Sequence, residues 1–347
     1  MINLNVWNKW DPLKDCIVGS CVNPDYFEHV QNSEIKDKLT SMLIETQEDM
    51  ENFASVLRNH GVNVIQEKYD PNTRLHPDKK ADRRHMIGLY PRDRVAVLGN
   101  QFVFDNIHTA RQMHNYIDKP INESRHEPWA KLMKVNGIEY KLSMASWTMV
   151  GTDLFIDAQD IMPGFTGKDK ITNWVEQHVS GTKVHWLDIG GHTDGTFHTC
   201  KPGVIISLFD VQKYEQTFPG WDVLYLPDQH WQGLTGWTKI REENKGRWWI
   251  PGEENNKAMT TFINTWLDQW LGYVEETVFD INIIMINEQT ACVTGYNKEV
   301  FDYFKTHKIE PIIVPLRHRY FWDGGLHCAS CDLNRTGEQQ SYITIAN

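Results

Sequence analysis

The chain has 347 residues, 40% of them hydrophobic and 23% charged, with a formal net charge of −11 at pH 7. That balance fits an ordinary globular protein and excludes the basic surface a phosphate backbone requires, so nucleic acid is not an expected partner. No apolar run approaches the roughly 20 residues of a membrane helix, and Met1-Ile2-Asn3-Leu4-Asn5-Val6-Trp7 has no basic stretch leading into an apolar core, so neither a membrane span nor a signal peptide is expected.

The segment Glu34 to His60 sets Ile35, Leu39, Met42, Leu43, Thr46, Met50, Phe53 and Leu57 on one helical face, with Gly61 as its C-terminal cap. A short β-rich run, Val62 to Ile65, follows. After a polar loop come Tyr90-Pro91-Arg92-Asp93 and a hairpin, Arg94 to Leu98 and Gln101 to Phe104 about a Gly99-Asn100 turn. The order then returns. A second hairpin is expected at Leu154 to Ile156 and Ile161-Met162, turning at Asp157 to Asp160, before a helix near Lys170 to His178 and a strand Val184 to Leu187. The strand Val204 to Leu208, a helix Gln212 to Thr217 and a strand Val223 to Leu226 make a third round. In the last, Ile281 to Ile286 turns at Asn287-Glu288 into Ala291 to Val293, with a helix Lys298 to Thr306 and a strand Ile312 to Val314.

Polar clusters opened or preceded by turns stand after the last strand of these units. They are Asp93, then Gly190-Gly191-His192-Thr193-Asp194, then Gly324-Gly325-Leu326-His327-Cys328. A ring of units would bring these positions to one axis; an open α/β sheet with loops at its strand ends is the other arrangement the pattern admits. A thiol with a distant histidine and carboxylate is the minimum set for cysteine nucleophilic catalysis. Cys328 is the candidate nucleophile and His192, followed by Asp194, the candidate base. The Cys328-x-x-Cys331 pair has no second cysteine pair or matching histidine spacing, so no metal is expected. Six scattered cysteines do not make a disulfide scaffold, and a reducing cytoplasmic setting is expected.

The assembled motifs resemble the glycine amidinotransferase family of the guanidino-group-modifying pentein superfamily. Asn8-Lys9-Trp10-Asp11-Pro12-Leu13 with Ile17-Val18-Gly19 is similar to the family's opening segment, and Pro91-Arg92-Asp93 with Val97-Leu98-Gly99-Asn100 to its second motif. His192-Thr193-Asp194-Gly195-Thr196-Phe197 matches the third. Gly324 to Asp332, with Arg335, Gly337 and Gln340-Ser341-Tyr342, matches the fourth. The resemblance implies one domain over residues 1–347, an α/β five-bladed propeller with pseudo-five-fold ββαβ repeats. It implies transfer of an amidino group from a guanidino donor, arginine-like, to an amine acceptor through a covalent S-amidino-cysteine at Cys328. His192 would carry protons, and Asp93 and Asp194 would hold the planar guanidinium by charge-assisted hydrogen bonds. It implies no cofactor, small-molecule partners and a homodimer.

Departures from the family pattern leave two other readings, a guanidine or amidine hydrolase on the same scaffold and a catalytically weakened binder of guanidino compounds or of a partner. The family carries Asp-x-x-Asp just before a hairpin, its first acid orienting the histidine. Aligned through the expected second hairpin, this stretch is Val150-Gly151-Thr152-Asp153, which replaces that first acid by valine. On that frame Val150→Asp is expected to raise turnover. A substrate-clamping arginine falls near Val211, a serine-bearing loop becomes Glu275-Glu276-Thr277, and a Trp-rich insertion occupies residues 229–256.

Overall fold

Asn32 opens the longest helix, Ser33–Asn59, by accepting the Ile35 backbone N–H on its side chain at 3.1 Å. This cap satisfies one of the donors that a helix start leaves orphaned. The face predicted from periodicity, Ile35 through Leu57, is buried in the largest apolar cluster of the computed structural model. Each fully buried Leu, Met or Phe there contributes roughly 1.5–3 kcal/mol of apolar transfer. The structure describes residues 2–66, 70–81, 87–104, 144–157, 168–187, 192–208, 213–226, 250, 252–253, 255–267 and 279–343.

Five small sheets account for the strands among these residues. In chain order the strands are β1 (Leu13–Val18), β2 (Asn63–Gln66), β3 (Val95–Leu98), β4 (Gln101–Phe104), β5 (Trp147–Val150), β6 (Asp153–Asp157) and β7 (Lys183–Leu187). They continue with β8 (Phe197–Lys201), β9 (Val204–Ser207), β10 (Asp222–Tyr225), β11 (Ile284–Asn287), β12 (Thr290–Val293), β13 (Glu310–Ile313) and β14 (Ser330–Arg335). In three sheets one plan repeats: an antiparallel hairpin, a helix, then a strand parallel to the hairpin's second strand. β5-β6 with helix Lys168–His178 and β7 follows it, as do β8-β9 with Tyr214–Thr217 and β10, and β11-β12 with Lys298–Thr306 and β13. The remaining three-stranded sheet obeys the same plan with its hairpin cut open. β14 pairs antiparallel with β1, joining the two ends of the chain, and β2 lies parallel to β1 after the Ser33–Asn59 helix.

The first expected hairpin is β3-β4, in register from Val95↔Phe104 to Leu98↔Gln101. The second is displaced. Its strands are β5 and β6, turning at Gly151-Thr152, so Leu154 to Ile156 is the returning strand and not the outgoing one. Gly151 has φ +66°, and a Cβ there would come within 2.0 Å of the Gln340 carbonyl. Only glycine fits that turn. β11 begins at Ile284, three residues later than the apolar run suggested. The helix Lys257–Trp266 had no counterpart among the expected elements. Residues 209–212, 227–249 and 268–278, which hold most of the Trp-rich insertion, the Val211 position and Glu275 to Thr277, lie outside the described residues.

Candidate active site

Every predicted site residue lies where one sheet hands the chain to the next. Asp93 closes a 3-10 turn, Pro91–Asp93, between β2 and β3. Asp194 lies in the short helix Thr193–Thr196 between β7 and β8, and Cys328 lies between β13 and β14. The two other crossings carry the 3-10 turn Met144–Ser146 ahead of β5 and, ahead of β11, Asn282.

Around Cys328 the chain builds a buried, hydrogen-bonded group. The thiol is within 3.5 Å of Asp194 Oδ2, and that same oxygen accepts a 2.8 Å bond from His327 Nδ1. Asn282 grips the cysteine at two points. Its Nδ2 donates to Cys328 Sγ at 2.9 Å and its Oδ1 accepts the Cys328 backbone N–H at 3.0 Å. The double glycine is what allows this approach: a Cβ at Gly325 would meet Asn282 atoms at 2.7 Å, and one at Gly324 would meet the Tyr90 ring at 2.3 Å.

Burial pushes the Cys328 thiol well above its ordinary range, and the negative charges of Asp194 and Asp93 push it further; the Asn282 bond works against them. Without a bound cation the residue is therefore a thiol. Asp93 is thus near enough to act electrostatically on the sulfur. Burial, with help from the Arg92 and Lys9 cations, drives His327 well below the usual histidine range, so the ring is neutral and its Nδ1–H is the donor to Asp194. Two carboxylates thus act on the sulfur of Cys328, the pairing suited to a planar cation.

The predicted base, His192, precedes Asp194 by two residues on the same segment. His192 is half-buried at the N-terminus of the Thr193–Thr196 helix, where its carbonyl accepts Gly195 N at 3.1 Å and Thr196 Oγ1 at 2.9 Å. The hydrogen-bonded group of Cys328, among the described residues, consists of Asn282, Asp194 and His327. Among the described residues no cluster of His, Cys, Asp or Glu is arranged to hold a metal ion.

Behind the nucleophile runs a buried ionic brace. Arg92 Nη2 and Arg335 Nε bind the two oxygens of Asp332 at 2.8 and 2.7 Å. Arg92 Nε also donates to the Ser330 and His327 carbonyls, at 2.9 and 3.3 Å, which holds the loop carrying Cys328. Burial alone would raise the Asp332 carboxyl, but Arg335 and Arg92 outweigh it and hold it at about 2. The adjacent residues Arg92 and Asp93 therefore divide their work, the first bracing the core and the second adding negative charge near the sulfur.

The displaced hairpin corrects the placement of the missing acid. Val150 is fully buried in an apolar cluster with Trp10, Phe155 and Phe197, at the turn end of β5. Asp153, across the turn, bonds His185 Nε2 at 2.7 Å on β7. Neither is the stretch before the hairpin. That stretch is Ser143-Met144-Ala145-Ser146, with serines where the family pattern has acids; Ser143 lies outside the described residues. Its Ala145 carbonyl accepts Thr193 Oγ1 at 2.9 Å, so this turn abuts the His192–Asp194 segment.

Asn282 and His327 escaped the sequence reading. Asn282 was absorbed into the run Ile281 to Ile286 as strand interior. The spacing rule that found Asp93, Asp194 and Cys328 points to the residue before the fourth hairpin as well, and applied there it finds Asn282.

No protein-family model matches the chain. The mitochondrial glycine amidinotransferase of Xenopus laevis is 22% identical to it, over 97% of this chain and 84% of that protein. The L-arginine:L-lysine amidinotransferase of Pseudomonas savastanoi pv. phaseolicola is 20% identical over 97% and 96% of the two chains. Among solved structures, an amidinotransferase of saxitoxin biosynthesis from Microseira wollei superposes with a TM-score of 0.60 at 16% identity, covering 99% of this chain and all of that one. The resemblance therefore runs the length of the chain, and its mixed α/β fold is the one those amidinotransferases share.

Proposed function

Taking this chain as a homologue of the amidinotransferases, we propose that it moves an amidino group from an arginine-like guanidino donor to an amine acceptor by way of Cys328. The observation that carries the reading is the 3.5 Å contact between Cys328 Sγ and Asp194 Oδ2, with Asp93 acting on the same sulfur. A guanidinium held between the two carboxylates presents its central carbon to the sulfur and supplies the positive charge that favours a thiolate. The thiolate forms an S–C bond, the C–N bond to the donor's amine breaks, and the proton lost by the thiol leaves on that amine. In the second half-reaction the acceptor amine attacks the S-amidino carbon, gives up a proton and restores the cysteine. His192, beside Asp194 and half-buried, is the proton carrier in this scheme.

The same proposal takes residues 1–347 as one domain, with the five sheets as blades of a pseudo-five-fold α/β propeller. The repeated hairpin–helix–parallel strand order supports it, as does the place of the site residues at the crossings between sheets. A homodimer and a cytoplasmic setting are carried from the resemblance and from the cysteine usage. Among the described residues no helix is long and apolar enough to cross a membrane.

Turnover of guanidino donors with and without added amines tests the reading. Product that appears only with an amine acceptor supports transfer. Equal product in its absence, with urea or ammonia released, places the chain with the hydrolases.

A further inference from the structure

Asn282 is completely buried, and each polar group of its side chain is spent on the site. One Nδ2 proton goes to Cys328 Sγ at 2.9 Å and the other to the Asp194 carbonyl at 3.3 Å; Oδ1 takes the Cys328 N–H at 3.0 Å. Its backbone carbonyl accepts His327 N at 3.4 Å. The bond from Cys328 N also fixes the orientation of the amide, because a flipped side chain would set two donors face to face. The N–H therefore points at the sulfur and is the one side-chain donor to it among the described residues.

We infer that Asn282 is a catalytic residue, the donor that stabilises the Cys328 thiolate when it forms beside the bound guanidinium and again when the amidino group leaves. An N–H donor aimed at an anionic atom stabilises the charged form most where water is excluded, which is the condition of this pocket. In the direction of the effect, the Asn282 bond opposes the burial and the carboxylates that favour the neutral thiol. The same bond aims the sulfur. With Asn282 Nδ2 on the sulfur and the backbone pinned by Oδ1, the sulfur is fixed 3.5 Å from Asp194 Oδ2. Gly325 is part of the device, since any Cβ there would push the amide away.

This inference deepens the reading of Cys328 as nucleophile and rests on it, but its test does not require turnover. Asn282→Asp keeps the shape and the acceptor for Cys328 N–H while replacing the donor by a carboxyl facing Asp194, Asp93, His327 and the thiol. Alkylation of Cys328 by iodoacetamide, followed on its own peptide by mass spectrometry, reads the thiolate without any donor substrate. At pH 8 the rate in Asn282→Asp should fall at least tenfold, and thermal melting should show the variant folded. As pH is lowered, a protonated carboxyl at that position regains an O–H donor, so the deficit relative to wild type should narrow. Asn282→Ser, which keeps a shorter donor, should lie between the two. An alkylation rate within twofold of wild type in folded Asn282→Asp at every pH overturns the inference. A tenfold deficit with no amidino transfer by wild type would leave the inference standing and remove the transfer reading instead.

Discussion

His327 Nδ1 lies 2.8 Å from Asp194 Oδ2, and this single bond joins the loop of the nucleophile to a helix 133 residues earlier in the chain. Both partners are buried, and the ring is neutral because burial and the nearby Arg92 and Lys9 cations disfavour its charged form. Asp194 thus receives a hydrogen bond without losing its charge to a partner, which leaves the carboxylate available to a substrate cation.

Removing that charge should be more damaging than removing the bond. Asp194→Asn is expected to abolish measurable binding of a guanidino donor, whereas His327→Gln should keep part of it. The lost bond in His327→Gln should lower stability by about 1–2 kcal/mol, since that Asp194 oxygen keeps only the longer contact from the Cys328 thiol. Calorimetry with a donor in a Cys328→Ala background, where no chemistry intervenes, separates the two variants.

Val150→Asp is expected to harm the fold and to leave transfer unimproved. The side chain faces Trp10, Phe155 and Phe197, and a carboxylate there would be buried without a partner. The expected cost is on the order of 3–5 kcal/mol. A variant that melts as wild type does and turns over faster would restore the alignment-based placement of the acid.

Sequence periodicity was sufficient for the Ser33–Asn59 helix and the β3-β4 hairpin because their signals are local. It misplaced the second hairpin because Asp157 to Asp160 looks like a turn, while the turn that forms depends on Gly151 passing the Gln340 carbonyl. The β14-β1 pairing, from Leu13↔Arg335 to Val18↔Ser330, joins the chain's ends and has no local signature. For the site, the motif residues Asp194 and Cys328 do meet. The spacing to Asp194 points to His192 as the partner histidine; the structure adds a second ring, that of His327, bonded to Asp194 Oδ2. Contacts at long sequence separation, such as Asn282 with Cys328, follow only from the arrangement of the sheets.

The Arg92–Asp332–Arg335 brace predicts acid lability. Asp332 is held at about 2, below its ordinary 3.8, so the folded state binds this proton less readily than the unfolded chain. Its contribution is complete above the unfolded value and is lost as pH falls through the window from about 4 to 2. Asp332→Asn should flatten that part of the stability–pH curve and cost on the order of 3–5 kcal/mol at neutral pH, since two buried guanidiniums lose their partner. Chemical denaturation across that pH range checks both outcomes.

Lys9 carries the opposite sign. Burial lowers its ammonium to about 8 from 10.5, although Asp194 acts to raise it, and Nζ has no hydrogen-bond partner among the described residues. The cost of keeping it charged is present in full below pH 8 and is relieved as pH rises towards 10.5. Lys9→Met should therefore stabilise the protein at pH 7 by about 3 kcal/mol or less, the equivalent of the shift. That advantage should shrink above pH 8. A destabilised Lys9→Met at pH 7 would mean that the ammonium is compensated within the fold.

The central claim is that Cys328 takes the amidino group covalently, and intact-protein mass spectrometry after brief exposure to L-arginine without an acceptor tests it most directly. The expected result is one added amidino group, mapped to the peptide containing Cys328, absent from Cys328→Ala and discharged by an amine acceptor. An adduct that persists in Cys328→Ala, or the failure of every guanidino donor to modify the wild-type protein, would contradict the account.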